Sequence, residues 1–199
     1  MAIDLAQYKG LIFDMDGTLV DSMPAHIESW RVAAEHFGFP YIPEWFHARG
    51  GKPSGKIALE LNELYGLSLV PEEVSDYKQQ AFRHLEFENG RIEETCSILF
   101  ANVGYKKIAV GTGSKKENAL MLLEQNDLLN SLDAIVTAND VELHKPHPQT
   151  FLKACELIGL RPEECVVFED TALGMQAAHA GGMDCILVTD SGLKLYPAS

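Results

Sequence analysis

Lys9-Gly10-Leu11-Ile12-Phe13-Asp14-Met15-Asp16-Gly17-Thr18 decides how this chain is read. A short apolar run stops at an acid, a second acid follows two residues on, and a glycine comes directly after it. An uninterrupted apolar run of this length indicates a strand buried on both faces. Four later runs share that character: Ile108–Thr112, Ala134–Thr137, Cys165–Glu169 and Cys185–Thr189. Stretches with helical spacing separate them: Ser114–Gln125, Pro148–Ile158 with Gly159 beyond its end, and Thr171–Ala180 running into Gly181-Gly182. Strands alternating with helices of this length predict an α/β fold, a Rossmann-like parallel sheet covered on both faces.

The alternation breaks between the first strand and the second. Residues 21–89 contain no strand pattern, whereas 1–20 and 90–199 carry the α/β signal. Ser22–Phe37 reads as a helix with Pro24 in its first turn, Ile27, Trp30, Ala34 and Phe37 on one stripe, and Gly38 as its stop. Ile57, Leu61 and Leu64 repeat at helical spacing. A further helix begins at Pro71 and places Val74, Tyr77, Ala81 and Leu85 on its apolar face. An all-helical domain is therefore expected as an insert in the α/β core.

Composition narrows the function. In 199 residues, 16 Lys+Arg face 29 Asp+Glu, a net charge of −13, and no basic patch stands out. Such a field repels phosphate backbones, so no nucleic-acid partner is expected. No apolar stretch approaches the roughly 18–20 residues of a membrane span, and Met1-Ala2-Ile3-Asp4 lacks a signal-peptide pattern, so no membrane partner is expected. Cys96, Cys155, Cys165 and Cys185 are widely spaced and form no CxxC motif. They read as free, buried thiols, which points to a reducing, cytoplasmic location. A monomer is expected.

The polar residues gather where chemistry is expected. Ligands of open parallel sheets bind at the carboxyl ends of the strands. There the chain offers Asp14-Met15-Asp16-Gly17-Thr18, Thr112-Gly113-Ser114, Lys145-Pro146 and Glu169-Asp170. Phosphoryl transfer through an acyl phosphate needs this collection. One carboxylate attacks phosphorus, a cation and a lysine balance the charge on the equatorial oxygens, and a second acid handles the leaving-group proton. Clustered carboxylates repel one another unless a cation lies among them. Thr112, by itself an ordinary β-branched strand residue, precedes Gly113-Ser114, where hydroxyls, N–H groups and a helix N-terminus suit a phosphoryl oxygen.

In order and spacing these four motifs resemble those of the haloacid-dehalogenase-like (HAD) hydrolase superfamily. The helical insert resembles that family's α-helical cap. Within the superfamily the chain is similar to bacterial sugar-phosphate phosphatases of the fructose-1-phosphatase kind and to β-phosphoglucomutases. The carrying segments are Val110-Gly111-Thr112-Gly113-Ser114, His144-Lys145-Pro146-His147-Pro148 and Val166 to Ala178. The resemblance implies Asp14 as nucleophile and Mg²⁺ ligand. Asp16 would be acid/base and offer its carbonyl to the ion, Asp170 would be a ligand, and Glu169 a ligand or an acceptor just behind the ligands. Thr112, Gly113, Ser114 and Lys145 would hold the phosphoryl group. In the cap, His26 matches a histidine that β-phosphoglucomutases carry after the first motif, so the resemblance implies a substrate-binding place for it at the seam of cap and core. Gly50-Gly51-Lys52-Pro53 resembles the substrate-specificity loop, with Gly51 and Lys52 at the substrate or Lys52 merely solvated. Lys78 and Arg83 are expected in solvent, and Trp30 in the core.

The expected activity is Mg²⁺-dependent hydrolysis of a small phosphorylated sugar, a phosphoric monoester hydrolysis. The alternative is a phosphosugar mutase, which needs a cation for a second phosphate. β-Phosphoglucomutases place an arginine after the loop glycine, where this chain reads Lys52-Pro53-Ser54-Gly55-Lys56. A dehalogenase needs neither metal nor an acid two residues on, so Asp16 and Asp170 speak against it. A non-catalytic binding protein on this fold would be expected to have lost a motif residue, and none is missing. A dinucleotide module lacks its G-x-G-x-x-G after the first strand.

Overall fold

The computed structural model describes residues 3–85, 88, 90–189 and 191–198. Met1-Ala2 and the expected end of the insert at Asn89 lie outside them. Met1–Asp21 with Gly90–Ser199 forms one compact unit and Ser22–Asn89 the other.

In chain order the strands and α-helices are β1 (Gly10–Phe13), α1 (Met23–Phe37), α2 (Pro43–His47), α3 (Ser54–Tyr65), α4 (Pro71–His84), α5 (Glu93–Asn102), β2 (Lys107–Gly111), α6 (Lys116–Gln125), β3 (Ala134–Val136), α7 (Gln149–Leu157), β4 (Cys165–Glu169), α8 (Ala172–Ala180), β5 (Asp184–Thr189) and β6 (Gly192–Tyr196). Helices α1–α4 make up the second unit and the remaining elements the first.

The first unit is built on a six-stranded sheet of order β3-β2-β1-β4-β5-β6. All pairs are parallel except β5–β6. β1 lies in the middle, paired to β2 and β4, and its four residues are all buried. An apolar run with no alternation fits that central position. Phe13 stacks on Phe168 of β4 with ring centroids 4.5 Å apart. The chain runs outward from β1 to β2 and β3, then crosses to β4 on the other side of β1. The carboxyl ends of β1, β2 and β4 therefore lie side by side, and they set the site.

β6 is absent from the five expected strands. Gly192-Leu193-Lys194-Leu195-Tyr196 folds back on β5 as an antiparallel edge strand. Its residues are only partly buried or exposed, so it carries little of the buried-run signal. Helix α6 begins at Lys116 rather than Ser114. Asn139 Oδ1, brought in from another loop, accepts from Lys116 N at 2.9 Å, while Ser114 turns to Asp16 instead.

Among the described residues the second unit has no strand. Its core gathers Trp30, Phe39, Phe46, Ile57, Leu61 and Val74. Trp30 stacks on Phe46 at 4.9 Å, so its place is structural. Leu64, at the end of α3, is exposed.

Helix α4 buries a different face from the expected one. Val74, Ser75, Lys78, Gln79 and Phe82 are buried, while Tyr77, Ala81 and Leu85 are only partly covered. Lys78 is 3% exposed, so the expectation of a solvated lysine is overturned. Its Nζ lies 2.6 Å from His26 Nδ1 of α1, and Phe82 stacks on the His26 ring at 4.4 Å. A helix that buries polar side chains on polar partners defeats a pattern that counts only apolar residues. Arg83 is exposed, as expected.

Candidate active site

The carboxyl ends of β1, β2 and β4 carry Asp14 and Asp16, Thr112 to Ser114, and Glu169-Asp170. Asp14 follows β1 directly; its N–H donates to Phe168 O at 2.9 Å, which keeps the strand pairing up to the acid. Gly17, directly after the second acid, has φ +84°, a left-handed conformation that a side chain resists. That conformation turns the chain sharply out of the sheet.

Lys145 reaches the centre from the loop after β3. Its Nζ donates to Asp14 Oδ1 at 2.5 Å and to Glu169 Oε1 at 2.8 Å. The side chains of Lys145 and Glu169 are 1% exposed, that of Asp14 6%. The Phe151 ring packs under the ammonium, 4.5 Å away. The other oxygen of Glu169 accepts from Thr171 N at 2.6 Å and Thr171 Oγ1 at 2.8 Å. Thr171 in turn caps α8 by accepting from Gly174 N. A Cβ at position 174 would overlap the Glu169 carboxylate, so the glycine makes room for the acid. Asp170 Oδ1 accepts from Thr18 Oγ1 at 3.3 Å.

Asp14, Glu169 and Asp170 each present an oxygen, all within 4.8 Å of one another. One ammonium against three carboxylates leaves this buried spot electron-rich. Burial raises the Asp14 carboxyl well above its usual value; Lys145 opposes, and Glu169, Asp170 and Asp16 push it further up. Burial likewise raises Asp170 to about 7, helped by Glu169 and opposed by Lys145. Lys145 keeps its proton because Asp14 and Glu169 outweigh its own desolvation. Hard oxygen donors in a buried, net-negative cluster fit a divalent cation of the Mg²⁺ type.

Asp16 points elsewhere. Its Oδ2 accepts from Ser114 Oγ at 2.7 Å and from Thr112 Oγ1 at 3.3 Å. Ser114 N donates to Thr112 Oγ1 at 3.0 Å, and Thr112 N to Val136 O at 2.9 Å. Of the N–H groups expected to face a phosphoryl oxygen, that of Ser114 is bonded to the Thr112 hydroxyl. Gly113 lies between them in the same turn.

The residues singled out in the helical unit form their own contacts. His26 pairs with Lys78 as described. Gly51 has φ +80°. Lys52 Nζ lies 2.5 Å from Glu60 Oε1, and Arg49 Nε 2.6 Å from Glu60 Oε2. The Arg49 guanidinium also covers the Trp45 ring at 3.6 Å.

Sequence reasoning missed Arg49 and Glu60 and gave no role to Thr171 and Gly174. The expected loop arginine follows the glycines, whereas Arg49 stands immediately before Gly50-Gly51. Glu60 lies on α3, eight residues from Lys52, with no local motif to mark it. Thr171 and Gly174 are legible as a helix start, and only the fold reveals that they hold Glu169.

The profile of the family described as "Haloacid dehalogenase-like hydrolase" matches residues 11–188. The fructose-1-phosphate phosphatase YqaB of Escherichia coli is 38% identical over 180 residues, spanning 90% of this chain and 96% of that protein. A phosphorylated carbohydrates phosphatase of Thermotoga maritima is 32% identical over 188 residues, 89% of this chain and 83% of that one. Among solved structures, a hydrolase from Pseudomonas syringae superposes with a TM-score of 0.83 at 27% identity, covering 90% of this chain and 84% of that chain. A β-phosphoglucomutase from Clostridium difficile superposes at 0.81 with 22% identity, covering 92% and 85%, a likeness of fold.

Proposed function

The chain belongs to the haloacid dehalogenase-like hydrolase family, and from that premise we propose that it is a Mg²⁺-dependent phosphatase of small sugar phosphates, of the fructose 1-phosphate type. The observation that carries the reading is the buried Asp14 carboxylate held by Lys145 beside Glu169 and Asp170. The names of the curated relatives support phosphate monoesters of sugars as the substrate class.

Asp14 attacks phosphorus, and the bond to the sugar oxygen breaks. Asp16 gives that oxygen its proton. The phosphoryl group is then an acyl phosphate on Asp14. Asp16, now a carboxylate, takes a proton from water, which attacks phosphorus and releases Asp14 and inorganic phosphate. Lys145 keeps Asp14 aimed and lies where equatorial charge develops. A Mg²⁺ held by Asp14, Asp170 and Glu169 would supply charge neutralisation for the phosphoryl oxygens.

A mutase reading has one observation in its favour, Arg49 beside the loop glycines. Glu60 and Trp45 already occupy that guanidinium, so a second phosphate would have to displace them, and hydrolysis remains the better fit. The test is phosphate release from a panel of hexose and pentose phosphates. Release should require Mg²⁺, stop with excess EDTA and return on Mg²⁺ addition. Faster isomerisation of β-glucose 1-phosphate than phosphate release, read by coupled glucose-6-phosphate dehydrogenase, would overturn the phosphatase in favour of the mutase.

A further inference from the structure

We propose that Thr171 and Gly174 set which divalent cation the site prefers, by holding Glu169 so that it can offer a cation one oxygen and no more. The inference rests on the cation site proposed above at Asp14, Glu169 and Asp170. It makes Thr171 and Gly174 positioning residues that favour a small, six-coordinate ion over a larger one.

A carboxylate has roughly four lone-pair sites, two on each oxygen. Glu169 Oε2 accepts from Thr171 N at 2.6 Å and from Thr171 Oγ1 at 2.8 Å, which fills that oxygen. Oε1 accepts from Lys145 Nζ at 2.8 Å and keeps at most one site. The Glu169 side chain is 1% exposed, so water does not trade places with these donors. Thr171 is fixed in turn. Its Oγ1 accepts from Gly174 N at 3.0 Å in the cap of α8, which leaves the single hydroxyl hydrogen for Glu169. A Cβ on residue 174 would overlap Oε1 and Cδ of Glu169, so the glycine leaves the carboxylate where Thr171 can reach it.

Chelation by both oxygens of Glu169 is thereby closed. An ion of the Mg²⁺ type takes about six oxygens at about 2.0–2.1 Å, readily keeps water among them, and needs one oxygen from a carboxylate. An ion of the Ca²⁺ type gathers about six to eight at about 2.3–2.6 Å and often draws two from one carboxylate. The two bonds from Thr171 leave the first shell unaffected and deny the second an oxygen. The charge of the cluster is the same for both ions, so the discrimination comes from the count of free lone pairs.

The test is calorimetric titration of the full chain with Mg²⁺ and, separately, with Ca²⁺, without substrate. Thr171→Val keeps the shape and removes the hydroxyl, which frees a lone pair on Oε2. The ratio of Mg²⁺ to Ca²⁺ affinity should fall by about tenfold, the size of one hydrogen bond to a charged group. Thr171→Ser keeps the hydroxyl and should keep the wild-type ratio. Gly174→Ala, which displaces the carboxylate and leaves the Thr171 side chain intact, should move the ratio in the same direction as Thr171→Val and serves should that variant lose its helix cap and fold poorly. A merely structural Thr171 would change both affinities by the same factor or neither. That result, or a Thr171→Ser ratio equal to that of Thr171→Val, overturns the proposal. If the wild type binds neither ion, the reading of a cation site falls, and the proposal with it.

Discussion

Lys145 and Asp14 in the α/β unit, and Lys52 and Glu60 in the helical unit, are the same kind of pair at the same separation, 2.5 Å. Their surroundings differ. The first pair has side chains 1% and 6% exposed; the second, 25% and 30%. Distance alone does not set what an ion pair does. In the buried site each charge depends on the others, because water cannot replace a missing partner. At the loop of the helical unit water competes for both partners and weakens their attraction. The first arrangement fixes its charges in place, and the second can exchange its partners with water.

The widest gap should appear in turnover. Asp14→Asn keeps the shape and removes the nucleophilic charge, so kcat should fall by about 10⁴-fold or more, with the circular dichroism of the wild type. Lys52→Ala should change kcat/KM by no more than about tenfold, the equivalent of one exposed polar contact. Equal losses in steady-state assays of the two variants would break the contrast.

Stability should separate the same pairs. Lys145→Ala leaves buried carboxylates without their ammonium and should cost about 3–5 kcal/mol. Glu60→Gln should cost about 0–1 kcal/mol. Denaturant titrations of both variants, with matched slopes, make the comparison.

A smaller effect sharpens the description of the buried side. Gly174→Ala forces a Cβ into the Glu169 carboxylate and should cost about 1–3 kcal/mol through overpacking. The same variant should weaken Mg²⁺ binding, measured by calorimetry, because Glu169 moves off its Thr171 bonds. Unchanged metal affinity would separate Glu169 from the cation site.

The smallest effect is a pH dependence of the exposed pair. Burial raises the Glu60 carboxyl, and Lys52 and Arg49 more than reverse it, so its folded value lies below the usual 4.5. A depressed folded value means stability that is present above pH 4.5 and lost as pH falls through the folded value. Glu60→Gln should remove that acid-side slope, by less than about 1 kcal/mol given the exposure of the pair.

Much of the buried site is legible in the sequence because its residues stand next to buried strands. Asp14 and Glu169-Asp170 each close an uninterrupted apolar run, and the topology of a parallel sheet makes such ends converge. Lys145 has no strand beside it and is legible through its prolines and the order of the motifs. The inward turn of Ser114 and Thr112 onto Asp16 is not legible, since a hydroxyl's partner depends on the fold around it. The face of α4 is misread for a related reason. Lys78 is buried because His26 and Phe82 receive it, and those partners are 52 and four residues away. The edge strand β6 escapes because a half-exposed strand shows a weaker apolar run than a central one.

The central claim is that Asp14 carries the phosphoryl group, and acid-quenched turnover of the Asp16→Ala variant tests it directly. With p-nitrophenyl phosphate the leaving group needs no proton from the enzyme, so formation of the acyl phosphate should proceed while its hydrolysis stalls. Peptide mass spectrometry should then find a base-labile phosphoryl adduct on Asp14, and none when Asp14→Asn is added. Turnover without an adduct, or an adduct on another residue, would contradict the account.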